Sequence, residues 1–208
     1  MFEKIKLDYI SLEPYIDDKT LDIHYNKHYQ KFLDNLNRLL KEGNYKFDSI
    51  YDLVENIDKI NLNDRGEILF NLGGVINHSL YFYDMSDKRN SKPIGRIKDD
   101  IEIYFNTYDE FKKKFKESAM NLQGSGYTFL VLDEKKNLKI INTSNQDTPY
   151  YYGFIPIITL DLWEHAYYLK YQNKKDEYID AWFNLVDFEK INKLYEKEIN
   201  KKYLNRTI

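Results

Sequence analysis

The chain has no cysteine in its 208 residues. Disulfides, thiolate metal sites and thiol nucleophiles are therefore excluded, and any metal must be held by nitrogen and oxygen. A dominant charge is also missing: 31 basic and 34 acidic residues give a formal net charge of -3, and they are interspersed, with only short lysine clusters and no basic tail. That pattern points away from nucleic acid as a partner. No apolar run approaches the length that spans a membrane, and the first 18 residues mix Glu3, Lys4, Lys6 and Asp8 with apolar side chains, unlike a signal peptide. The expectation is a soluble cytoplasmic protein without a membrane partner. Internal repeats and low-complexity stretches are absent too. What remains is ordinary globular chemistry, 42% hydrophobic and 31% charged, with enough chain for one large domain or two small ones sharing a core.

Apolar residues Leu21, Tyr25, Tyr29, Phe32, Leu33, Leu36, Leu39 and Leu40 recur at three- and four-residue steps, and Gly43 follows them. This spacing predicts a long amphipathic helix over 20–40. A second helix is predicted from Arg65 to about Tyr83, with Asp64 as N-cap and Glu67 completing a capping box. The two form an α-hairpin. Ser86 to Arg96, with Pro93 and Gly95, reads as a linker, and helical spacing returns from Ile97 to Met120. From Gly126 the character changes. Tyr127 to Leu132 and Leu138 to Ile141 are β-prone runs joined by a polar turn, 133–137, and Pro156 to Asp161 supplies a third strand. Helical patterns then cover Tyr178 to Val186 and Phe188 to Tyr203. The fold class is α+β, helices first, divided into an N-terminal α-hairpin domain, 1–88, and a C-terminal α/β domain, 89–208.

Only four histidines are present. His24 and His28 lie four apart on one predicted helix face, a spacing shared by metal pairs and by ordinary solvated histidines. His78 follows Gly73 and Gly74, each costing about 1 kcal/mol in a helix interior. Either tight helix packing or a side chain lying over the glycines accounts for them. Asp161 and His165 are also four apart. Fully extended, they would stand roughly 13 Å apart, so one ion can hold both only if the chain turns after Leu162. Imidazoles with a carboxylate and no thiolate suit Mn, Fe or Zn.

Five separated motifs resemble one family. Leu21-Asp22-Ile23-His24-Tyr25-Asn26-Lys27-His28, Asn77-His78-Ser79-Leu80, Gly124-Ser125-Gly126, Asn145-Gln146-Asp147-Thr148-Pro149 and Asp161-Leu162-Trp163-Glu164-His165-Ala166-Tyr167-Tyr168 are similar, in order and spacing, to the signatures of iron/manganese superoxide dismutases. The resemblance implies an α-hairpin followed by a domain with a three-stranded antiparallel sheet. It implies dismutation of superoxide to dioxygen and hydrogen peroxide by one Mn or Fe ion per chain, with His24, His78, Asp161 and His165 as ligands and room for a water or hydroxide. His28 then matches a histidine near the substrate channel, and Gln146 the glutamine that bonds the solvent ligand. Gly74 matches the position that leaves space for that amide, a combination more typical of manganese enzymes, so Mn is favoured. Glu164 and Tyr168 match residues that cross a two-fold interface, implying a homodimer, or a tetramer built from it.

The chain also departs from the family. Phe32 replaces a channel tyrosine, Tyr127 and Phe129 replace tryptophans, and Lys174-Lys175-Asp176 replaces Arg-Arg-Pro. Phe32 is expected to weaken the proton-requiring half-reaction, with the Tyr127 hydroxyl as a compensating partner for Gln146. A non-catalytic structural relative of the family is the competing reading, and such a protein would be expected to lose ligands.

Overall fold

A computed structural model describes residues 1–200. Helix α1 (Asp18–Ile23) opens on Asp17, whose carboxylate accepts the Thr20 N–H, and runs without a break through a π-helical stretch, His24–Tyr29, into α2 (Gln30–Glu42). Such wide turns are rare and gather at functional sites; here the stretch begins and nearly ends on a histidine. Leu33, Leu36 and Leu40 bury one face of α2. A short helix, α3 (Ile50–Glu55), capped by Ser49, fills the connection and was not anticipated from the sequence. Helix α4 (Leu62–Tyr83) returns alongside α2 and completes the hairpin.

The capping box expected at Asp64 does not form. Helix α4 begins a turn earlier, after Asn61, and the Asp64 carboxylate instead accepts the Tyr45 hydroxyl at 2.7 Å. Glu67 faces Arg38 of α2 at 3.4 Å. The helical stretch expected over 97–120 is two helices, α5 (Gly95–Phe105) and α6 (Tyr108–Asn121). Asn106, at φ 70°, ends the first, and the Thr107 hydroxyl accepts the Glu110 N–H to start the second. Asparagine tolerates that left-handed backbone better than most residues.

The sheet consists of β1 (Gly126–Leu132), β2 (Leu138–Ser144) and β3 (Ile155–Asp161), in the order β2-β1-β3 and antiparallel throughout. Asp133 shapes the first turn by accepting the Lys135 and Asn137 N–H groups at 2.9 Å. Every residue of β1 is buried. Side chains alternate across it: Leu130 and Leu132 join the main core, while Tyr127, Phe129 and Val131 pack on the other face with Ile141, Phe154 and Trp163. Tyr127 is the Cα partner of Asp161, so the sheet register itself places this tyrosine beside the end of β3. The chain continues through a 3₁₀ turn, Glu164–Ala166, into α7 (Tyr168–Tyr171), α8 (Lys175–Phe183) and α9 (Phe188–Ile199). Of the last predicted helix, 201–203 lie outside the described residues. Among the described residues no helix is long and apolar enough to cross a membrane.

Candidate metal centre

Three pieces of the fold meet at one point. The π-helical stretch brings His24, the middle of α4 brings His78, and the end of β3 with its following turn brings Asp161 and His165. One ligand atom from each of these four lies within 4.8 Å of all the others. The turn after Leu162 is the one that shared ligation demanded. It is held by the Trp163 N–H, which donates to Asp161 Oδ1 at 2.8 Å, leaving Oδ2 to face the histidines: His24 Nε2 at 3.1 Å, His165 Nε2 at 3.6 Å and His78 Nε2 at 3.9 Å.

The donor atoms suit a cation. His78 Nδ1 donates to the Gly74 carbonyl at 2.6 Å, one helical turn back, which leaves the lone pair on Nε2. His78 Nε2 and His165 Nε2 are buried and have no hydrogen-bond partner. Buried polar nitrogens left in that state are expensive unless something binds them. Burial drives the His24 imidazolium pKa down to about 4 and that of His78 to about 3, against the pull of Asp161. Burial works against the Asp161 carboxylate as well, but the nearby His165 and His24 outweigh it and hold the group well below the usual range. His24 and His78 are thus neutral and Asp161 is ionised, the protonation state that metal binding needs of them.

His28 contributes no atom to the cluster. Its ring stacks on His165, centroids 4.1 Å apart and planes at 11°. Of the four clustered residues only His165 is not fully buried, and His28, stacked on it, is also partly exposed, so the cluster lies nearest to solvent on that side.

Gln146 is buried. Its Oε1 accepts the Tyr127 hydroxyl at 3.0 Å, its main-chain carbonyl accepts Asn77 Nδ2 at 3.2 Å, and its Nε2 has no partner. Burial and the Asp161 charge raise the Tyr127 pKa well above its usual value, so the phenol keeps its proton and donates. The glycine pair differs from expectation. A Cβ on Gly74 would fall 2.4 Å from the Phe32 ring, and the three nearest atoms all belong to that ring. Phe32, not the Gln146 amide, takes the space beside Gly74. The neighbouring Gly73 makes room for Gln146, whose carbonyl would lie 1.9 Å from an added Cβ. Of the explanations left open by the sequence, a side chain lying over the glycines holds at Gly74, where the ring comes from the facing helix α2, whereas Gly73 meets a main-chain carbonyl from the loop after β2, which neither explanation anticipated.

Two comparisons bear on this arrangement. Residues 1–86 match the pattern for "Iron/manganese superoxide dismutases, alpha-hairpin domain", and residues 93–194 the corresponding "C-terminal domain". The chain is 42% identical over 188 residues to the "Superoxide dismutase [Mn/Fe] 2" of Staphylococcus aureus strains COL and MW2, covering 90% of this chain and 93% of those proteins. The chain belongs to the iron/manganese superoxide dismutases. Three histidines and an aspartate cluster in it, and of the residues expected to depart from the family pattern Phe32 and Tyr127 pack against His78. Phe32 lies 5.3 Å from the His78 ring and 5.7 Å from Phe70. Lys175 points its ammonium at the carbonyls of Met120 and Leu122, 3.4 and 3.3 Å away at the end of α6, and Lys174 pairs with Glu177 at 2.9 Å. Glu164 and Tyr168 are exposed on the turn after β3 and at the start of α7. Sequence reasoning missed what Gly73 and Asn77 do for Gln146. Asn77 stands in a quoted motif directly before His78, and its side chain reaches both Gln146 and Asp147 carbonyls. Only a contact map could have supplied that pairing.

Proposed function

We propose that this chain is a superoxide dismutase that holds one Mn or Fe ion through His24, His78, Asp161 and His165. The observation that carries the reading is the convergence of four donor atoms within 4.8 Å, two of them buried imidazole nitrogens without any other partner. Bound there, a redox-active ion supplies the one-electron cycle in which one superoxide is oxidised to dioxygen and a second is reduced, with two protons, to hydrogen peroxide.

The chain's own residues do the rest. Burial keeps His24 and His78 neutral, and Asp161 stays ionised, so these three ligands together carry one negative charge near neutral pH. The His78 bond to the Gly74 carbonyl fixes the ring and its tautomer. Tyr127 fixes Gln146 by bonding its oxygen, which leaves the amide N–H₂ as a donor inside the buried site. Phe32 closes the flank of His78 with an apolar ring and brings no hydroxyl. Gln146 arises beyond β2 rather than from α4, and Gly74 carries no side chain, which favours manganese over iron. Glu164 and Tyr168, exposed beside the site, are the surface through which a homodimer would form.

Elemental analysis of the protein as isolated, alongside a dismutation assay, tests the reading. One Mn or Fe per chain is expected, with His78→Ala and Asp161→Ala abolishing both metal and activity. A redox-inert ion with no dismutation would return the reading of a non-catalytic relative.

A further inference from the structure

Tyrosine is abundant, 20 in 208 residues, and one line of tyrosines runs from the ligand cluster towards the surface without holding any ligand atom. Tyr81, fully buried in α4, lies against His24, ring centroids 5.1 Å apart and planes at 32°. Its hydroxyl is 3.1 Å from that of Tyr178 in α8, which is equally buried. Tyr178 gives its single proton to the main-chain carbonyl of Asp161 at 2.9 Å, so Tyr81 is the donor within the phenol pair. The Tyr178 ring meets Tyr171 of α7 at 5.9 Å. Tyr171 is partly exposed and donates its hydroxyl to the Tyr15 carbonyl at 2.6 Å.

Every link is a ring contact or a hydrogen bond, and the line begins at a ligand histidine and ends at solvent. Packing alone does not call for the Tyr81 hydroxyl, because a phenylalanine would fill the same space without burying a polar group. The Tyr178 proton is committed to the Asp161 carbonyl and the Tyr81 proton to the Tyr178 oxygen, so neither phenol has an acceptor to which it can lose its proton within the core. A cation left in this core would be costly. Chemistry open to such a pair is the passage of an electron through the bonded hydroxyls, with both phenols keeping their protons.

We propose that Tyr81, Tyr178 and Tyr171 form an exit path that carries an oxidising equivalent from the metal centre to the surface when hydrogen peroxide reacts there. The proposal rests on the reading of the cluster as a redox-metal site. In the step, the O–O bond of hydrogen peroxide breaks and two waters form, which takes two electrons and two protons. With iron held by the four ligands, one electron would come from the ferrous ion, which passes from +2 to +3. The other comes from Tyr171, whose O–H bond breaks to leave a neutral phenoxyl radical. The proton that Tyr171 releases and one from solvent complete the two waters. The bonded hydroxyls of Tyr178 and Tyr81 bridge the passage of that electron inward and both phenols keep their protons, while Tyr171 releases its own at the surface beside the Tyr15 carbonyl. Without the path the same equivalent would be spent on the nearest oxidisable groups, the ligand imidazoles.

The test uses the full chain loaded with ferrous iron, mixed with hydrogen peroxide and a nitroso spin trap. Electron paramagnetic resonance reads the radical and peptide mass spectrometry locates the adduct. A tyrosyl signal and an adduct on Tyr171 are expected. Tyr81→Phe and Tyr178→Phe should each lower that adduct severalfold and raise oxidation of His24, His78 or His165 to match, at unchanged iron content. Equal adduct yields in parent and variants overturn the proposal, as does the absence of tyrosine adducts in protein that binds iron and dismutes superoxide. A chain that takes up no iron overturns this proposal, and one that dismutes superoxide with neither manganese nor iron bound overturns the function beneath it as well. Metal content and dismutation, measured beside the trapping, separate the two failures.

Discussion

Three glycines on α4 have three different surroundings, and alanine at each should give three different outcomes. Gly66 is exposed, with nothing within 4 Å of an added Cβ, so Gly66→Ala keeps the whole helix-propensity gain of up to about 1 kcal/mol. At Gly73 the new Cβ would sit 1.9 Å from the Gln146 carbonyl oxygen and 3.1 Å from its carbon. Those are backbone atoms and cannot swing aside. Moving them costs about 1–3 kcal/mol in overpacking. It also strains the bonds that Gln146 makes with Asn77 and Tyr127, each worth about 1 kcal/mol. After subtraction of the propensity gain, Gly73→Ala should be about 2–4 kcal/mol less stable than the parent. At Gly74 the obstacle is the Phe32 ring, 2.4 Å away, a side chain that a second substitution can remove. Gly74→Ala should therefore be destabilised, and Phe32→Ala should be less harmful in its presence than alone. Urea unfolding of the metal-free protein reads all of these from the midpoint at constant slope. A Gly73→Ala midpoint at or above that of Gly66→Ala would refute the reasoning, and additivity of Gly74→Ala with Phe32→Ala would refute the assignment of Phe32 to that space.

Removal of the ion by chelation should lower the melting temperature, because a ligand bound only by the folded state adds about 1.4 kcal/mol per tenfold excess over its Kd; calorimetry with and without chelator checks this. Phe32→Tyr should leave oxidation of superoxide unchanged, speed its reduction to peroxide and shrink the solvent isotope effect, and pulse-radiolysis traces that overlay the parent at every flux would rule it out. Sedimentation should find at least a dimer, with charge reversal at Glu164 weakening it; a fully active monomer would contradict the interface. Asp84, fully buried at the end of α4, accepts the Thr159 N–H at 2.6 Å, and burial raises its pKa well above the usual range despite that bond and Lys190. A raised folded-state value means stability that is complete below the unfolded pKa of about 4 and is lost as pH rises through the folded value. Asp84→Asn should flatten that decline in a series of urea melts from acid to mildly alkaline pH, and an unchanged slope would count against it.

Most of the architecture was legible because periodicity reports burial. Leu33, Leu36 and Leu40 recur on one face and are the residues that α2 buries; β1 reads as an apolar run because both of its faces are covered. The misplaced boundaries have local causes. Asp64 has the chemistry of an N-cap, but a hydroxyl from a different part of the chain, that of Tyr45, takes its carboxylate, and sequence spacing cannot see so distant a competitor. The break at Asn106 was invisible to a hydrophobic period because Ile101, Phe105, Phe111 and Phe115 are buried on both sides of it.

The metal cluster and its surroundings were legible to different degrees for a physical reason. Each ligand sits in a short motif whose residues act locally: Trp163 turns Asp161, and Gly74 orients His78 from one helical turn away. Local devices leave local signatures. What steers Gln146 is assembled from Gly73 and Asn77 on α4 and Tyr127 on β1, and only the packing of helix against sheet joins them. By its sequence one vacancy, Gly74, is expected to serve the glutamine, whereas the fold uses two neighbouring vacancies for two purposes. Gly73 admits a backbone and Gly74 a ring. A backbone carbonyl held at close range tolerates no substitute for glycine, while a phenyl ring can move. Of the two, Gly73 is therefore the stricter requirement for holding Gln146 against α4, although Gly74 is the one that the family resemblance brings to notice.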